Sequence, residues 1–235
     1  MIKFFRKIRQ KILIENKFIK YLIYAIGEIV LVTIGILIAL GINENVKNKN
    51  NIELRDLYIA QLTDEADRNI KGLNYHHNTS IEILKELDTL FYILKNKELD
   101  SPKLLSKSQR LISTNEFKPI MITYENLKFS GDLKLFDDLN LRNSISEPYE
   151  TFKIVKSVEE VDQKGVSIYY EHYMIQNANF MNISMSNSNY GKDTYFENTV
   201  LARMVTLKQN RDAYANSIES LKKLKNTFAE LKKQK

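Results

Sequence analysis

The sequence contains no cysteine, so disulfide scaffolds, thiolate zinc sites and cysteine nucleophiles are excluded at once. Glycine and proline are scarce, 7 and 3 in 235 residues, too few for a turn-rich β-sandwich or a glycine-cradled nucleotide site. The motifs that announce chemistry are missing too: no G-x-G-x-x-G, no G-x-x-x-x-G-K, no H-E-x-x-H, no G-x-S-x-G and no EF-hand loop. Neither an enzymatic activity nor a cofactor, metal or catalytic residue is expected. What is present is 43% apolar residues, ample for a packed core, in a length that allows one ordinary domain and a short extra segment. An all-α protein is the natural reading.

A net charge of +6 invites a nucleic-acid reading until its distribution is examined. Residues 1–20 hold seven cations (Lys3, Arg6, Lys7, Arg9, Lys11, Lys17, Lys20) against Glu15, and Glu28 is the one charge in 21–42. Residues 43–235 are left nearly neutral. A nucleic-acid partner loses its support, because neutralising phosphates needs a basic face on the folded part.

Residues 21–42, YLIYAIGEIVLVTIGILIALGI, span about 33 Å as a helix, against about 30 Å of hydrocarbon in a bilayer. A transmembrane helix is expected, with the lipid bilayer as first partner. Seven cations precede it and three (Lys47, Lys49, Arg55) follow within 43–57, so the N-terminus should stay cytoplasmic and 43–235 should lie outside the inner (cytoplasmic) membrane. Tyr21 and Tyr24 would sit at the inner interface. Within 1–20, Phe4, Phe5, Ile8, Ile12 and Ile19 share one helical arc and most cations the other, a basic amphipathic segment suited to an anionic leaflet. The rival reading is a cleaved secretion signal, with Ala39-Leu40-Gly41 as the cleavage-like triplet and a secreted helical protein beginning near Ile42.

FFRKIRQK, ENKF, YAIGEIVLV and IGILIALGIN in the N-terminal block, and TYENLKFSGDLKLF at 123–136, carry a resemblance. Together they resemble a family of uncharacterised single-pass membrane proteins of Flavobacteria and other Bacteroidetes, described as domain of unknown function 6090. The resemblance implies a Gram-negative inner-membrane protein with a helical periplasmic domain, and brings no activity, cofactor or catalytic residue. Pro148 departs from the family pattern, standing where helix is expected to continue.

Beyond the apolar block, Ile59, Leu62, Ala66, Ile70, Leu73, His77, Ile81, Leu84, Leu87, Phe91 and Leu94 recur at three- and four-residue steps and give a helix over about 52–97. Pro102 breaks it and a short helix follows near 103–113. Pro119 opens ITYENLKFSG, which runs into Gly131 as a helix C-cap; DLKLF connects onward. Helix is expected again from Asp138 to about Asn177, with a kink or boundary at Pro148. Residues 179–195 read as a loop, and the last helix, about 196–233, buries Val200, Met204, Leu207, Tyr214, Ile218, Leu221, Leu224, Phe228 and Leu231. One-sided helices hide their apolar faces only against each other, so an elongated antiparallel periplasmic bundle is expected over 43–235.

Glu28, Val32, Gly35 and Ala39 share a helix face, and Gly35 and Ala39 have the small-residue spacing that lets two helices approach closely. A carboxylate in lipid is costly and normally faces protein or water, so homo-oligomerisation with Glu28 in the seam is one reading; an apolar helix with incidental small residues, its Glu28 reaching the inner headgroups, is the other. His77 takes an inward step and His76 sits aside; neighbours about 100° apart make a poor metal pair. His172, among Tyr169, Tyr170 and Tyr173, reads as part of a packing surface. Glu159 with Glu160, and Asp137 with Asp138, read as solvated faces. The domain is therefore expected to bind another periplasmic or membrane protein, or to sense a ligand. A membrane-anchored periplasmic enzyme is the third alternative, and would need a cleft with convergent polar groups.

Overall fold

The computed structural model describes residues 17–99, 102–179, 181–182, 184–187 and 190–233. The basic amphipathic segment expected over 1–20 falls almost wholly outside them. The chain is all-α, about 85% helical, with one long apolar N-terminal helix. It divides into two compact units, residues 1–56 and 57–235.

Helix α1 spans Lys17–Lys95, 79 residues. No glycine or proline interrupts residues 43–51, so the break expected between two helices does not occur. In the first unit, every described side chain of 21–42 is exposed except that of Ala25. This stretch is long and apolar enough to cross a membrane. Its one aliphatic hydroxyl, on Thr33, donates back to the Ile29 carbonyl at 2.8 Å, so that group brings no unmet hydrogen bond.

The second unit has four legs. The first is the remainder of α1, which ends in a Schellman turn: Glu98 N–H donates to the Ile93 carbonyl at 3.0 Å and Lys97 N–H to that of Leu94 at 3.1 Å, with Lys97 left-handed at φ 57°. Helix α2 (Pro102–Ser108) and a 3₁₀ turn (Gln109–Ile112) reverse the chain. The second leg is not one helix. It is an extended strap, residues 114–121, followed by α3 (Ile122–Phe129) and a 3₁₀ turn (Asp132–Leu135) after Gly131, left-handed at φ 74° as its capping role requires. Tyr58 donates to Asp132 at 2.9 Å and closes this leg against the start of the first.

Helix α4 (Leu139–Tyr169) is the third leg, with Asp138 capping it by accepting from the Asn140 N–H at 2.9 Å. It runs through Pro148 without a boundary. A proline inside a helix costs about 3 kcal/mol through a lost hydrogen bond and a ring clash, which the face carrying Ile145, Tyr149, Phe152 and Val155 outweighs by burial. A π-turn (Tyr170–Met174) and a single turn, α5 (Ile175–Asn177), lead into β1 (Ala178–Asn179) and β2 (Ser184–Met185), an antiparallel pair matching Ala178 with Met185. That small hairpin lies inside the segment expected to be loop.

The fourth leg is α6 (Thr194–Lys233). It is antiparallel to α1, as the Lys225–Asp67 ion pair and the His76–Tyr214 ring contact show, and to α4, as Tyr214–Glu159 and Thr206–Asp162 show. Consecutive legs thus alternate in direction as expected, while α1 and α4 are parallel because the strap returns the chain to its start. Apolar residues form two clusters, one around Leu62, Leu73, Phe136, Tyr149 and Phe228, the other around Leu87, Leu90, Tyr169, Tyr190 and Phe196. The expected α6 stripe is buried except for the half-buried Leu231. On α1, Phe91 is exposed at 37%, and Leu90 and Ile93 take the inward positions instead.

Candidate functional site

Glu28, Gly35 and Ala39 lie on exposed helix in the first unit, with none of the described residues packed on them. A Cβ built on Gly35 meets no atom within 4 Å. Among the described residues, none is brought together with these three as a partner.

A denser polar site lies in the second unit, where helix is locally forbidden. Proline at 119 removes an N–H and biases Lys118 away from helical dihedrals, so residues 114–121 remain extended with backbone groups that no helix satisfies. Side chains of neighbouring helices take their place. Asn69 of α1 pairs with both backbone groups of Ile120, donating to its carbonyl at 2.7 Å and accepting its N–H at 2.8 Å. Glu65 accepts Thr123 N–H at 2.7 Å and Tyr124 N–H at 3.4 Å, so a fully buried carboxylate sits at the N-terminus of α3, where orphan donors and the helix dipole favour it. Tyr149 donates its hydroxyl to Glu65 at 2.7 Å while its ring stacks on Tyr124 at 3.9 Å. Upstream, Asn115 donates to the His76 carbonyl at 2.8 Å and to Ser80 at 3.2 Å, and its Oδ1 meets His76 Nδ1. Arg203 of α6 donates to the Ser113 carbonyl.

Between strap and α4 opens a cleft of about 350 Å³, lined by Phe117, Pro119, Met121, Tyr149, Phe152 and Glu159, with Glu116, Lys118, Lys153 and Lys156 at its edge. Glu159 is 3% exposed. Its Oε1 accepts from Phe117 N–H at 2.8 Å and from the Tyr214 hydroxyl at 2.5 Å. Burial raises its carboxyl above the usual carboxylate range, opposed by those two hydrogen bonds and by nearby His76. The same burial, with Glu159 as neighbour, raises Tyr214; burial and Glu65 raise Tyr149. A buried, gripped carboxyl at the floor of an aromatic-walled opening is a recognition group for a donor or a cation.

Three sequence expectations are corrected here. Glu159 does not share a solvated face with Glu160: only Glu160 is exposed, because adjacent helical residues point about 100° apart and Glu159 falls on the side of the strap. His76, not His77, makes the inward contacts, its ring lying 6.0 Å from that of Phe117 and 5.9 Å from that of Tyr214. His77 is half-buried, with only a 3.4 Å approach to the neighbouring Asn78. His172 is exposed, while Tyr169 and Tyr173 turn inward to Tyr190 and Phe196. There Tyr190 donates to Ser108 at 2.8 Å and Tyr173 to Asp193 at 2.5 Å.

Sequence reading also missed the buried Asp162–Arg203 ion pair, in which Thr206 adds a hydrogen bond to Asp162. Its signal was present but weak: two opposite charges at otherwise apolar helical steps. No family model, curated protein or solved structure matches the chain.

Proposed function

We propose that this chain is a single-pass inner-membrane protein, N-terminus in the cytoplasm and residues 43–235 in the periplasm, whose helical domain binds a partner protein or a ligand. The observation that carries the reading is the exposure of an apolar stretch on all sides of α1 over residues 21–42. A helix apolar all round and covered by none of the described residues is at home in hydrocarbon. The seven cations before it favour the inward N-terminus. Resemblance to the flavobacterial family belongs to the same proposal. Association of two copies through Glu28, Gly35 and Ala39 is its oligomeric part, and rests on their common face and small size.

The test is fractionation of cells followed by protease treatment of spheroplasts. Full-length chain in the membrane pellet, trimmed to a short protected fragment by external protease, supports the reading. Recovery in the soluble fraction without detergent, or a protected C-terminal domain, refutes it. Cross-linking of Glu28→Leu and Gly35→Ile variants examines the association, which both substitutions should weaken.

A further inference from the structure

The cleft between strap and α4 is chemically polarised from floor to rim. At the floor, Glu159 Oε1 is occupied by Phe117 N–H and the Tyr214 hydroxyl, and Oε2 has no donor among the described residues. At the rim stand three exposed lysines, Lys118, Lys153 and Lys156, with one exposed acid, Glu116. Lys153 pairs with Glu150 at 2.6 Å and Lys156 with Glu160 at 3.8 Å, both in solvent, where such pairs are weak and exchange readily. Lys118 has no ion pair among the described residues. The walls between floor and rim are the rings of Phe117, Tyr149 and Phe152.

We propose that this cleft binds a small zwitterion with an apolar middle, its ammonium end on Glu159 and its carboxylate end among the rim lysines. Each part of the ligand answers a part of the site. The ammonium gains a charge-assisted hydrogen bond to a desolvated carboxylate and lies against aromatic faces. The carboxylate exchanges solvent-exposed lysine pairs for one shared by several cations. Along α4, Lys156 and Lys153 stand three and six residues before Glu159, a rise of about 4.5 and 9 Å, which a short ω-amino acid spans. A simple amine would bring only cation to a lysine rim, and a simple carboxylate would set an apolar tail against Glu159 Oε2 and give it no donor. The inference rests on reading residues 43–235 as a binding domain. It is independent of the anchor, since the cleft lies wholly in the second unit.

The experiment is calorimetric titration of the full-length protein in detergent with 6-aminohexanoate, hexylamine and hexanoate. The zwitterion should bind at least about tenfold more tightly than either single-ended probe, with Glu159→Gln and the double variant Lys153→Ala/Lys156→Ala each losing about tenfold or more. Helicity by circular dichroism establishes that each variant is folded, and the lysine variant, altered only at the surface, decides the matter should Glu159→Gln unfold. Equal binding of the three probes, no binding of any, or a folded lysine variant with unchanged affinity overturns the proposal. Because protease topology is read separately, failure of the titration leaves the membrane reading standing, and the reverse.

Discussion

Residues 21–42 and 57–95 belong to one helix, yet they follow opposite rules. In the first stretch apolar side chains point every way and none of the span is buried. In the second they keep to one side, where Leu62, Ala66, Leu73, Leu87 and Leu90 are at or near zero exposure while the opposite side carries Asp64, Arg68, Lys71, Glu82 and Asp88. Backbone geometry is common to both, so the difference lies in the side chains, apolar on every side in one stretch and on one side in the other. A helix in water must be two-faced, and one in hydrocarbon must satisfy its polar groups internally and be greasy all round. Thr33 in the first stretch and Thr63, Thr79 and Thr89 in the second bond back to their own helix; what the second adds is buried Glu65 and Asn69, which reach across to another segment.

The largest effect should come from separating the two regions by mutation. Asp162→Ala leaves the Arg203 guanidinium buried without its counter-charge and should cost about 3–5 kcal/mol, read as a lowered thermal midpoint by circular dichroism, with membrane association unchanged. Leu31→Arg is the converse. It puts a charge on the exposed apolar stretch at about 2.5–3.5 kcal/mol, so membrane recovery should fall while the melting of the second unit stays put. If either variant disturbs both readouts equally, the two regions are not separate in energy.

A finer probe uses pH. Glu159 titrates above the unfolded value because burial disfavours its charge, so its contribution is fully present below the unfolded carboxylate pKa and is lost as pH rises through the raised folded one. Relative to wild type, Glu159→Gln should therefore gain stability between acid and neutral pH, and a pH-independent difference between the two melting curves would contradict this. The smallest effect is at the end of α1. Lys97 holds a left-handed conformation that glycine adopts freely, and Lys97→Gly should raise stability by about 0.5 kcal/mol, net of the entropy glycine loses on folding.

Helix positions were legible because their signals are local: apolar steps of three and four, Pro102 as breaker, Gly131 as cap. Facing was legible only to within a turn. His76 against His77, and Phe91 against Leu90 and Ile93, differ by one residue, and about 100° of rotation exceeds what a mixed pattern resolves. The candidate site was hidden for a stronger reason. Glu159 read as a solvated residue, Glu65 and Asn69 carried no signal, and only the strap and the start of α3, 42 to 58 residues distant along the chain, make their burial tolerable.

By itself the sequence determined the all-α class, the uninterrupted apolar stretch of 21–42 and the one-sided helices after it, since composition and periodicity act through neighbours a turn apart. Tertiary structure alone decided which polar side chains are buried, which groups satisfy the extended strap, and that a cleft opens over Glu159. These depend on where a distant backbone must find hydrogen-bond partners, and that demand exists only once the legs are packed together.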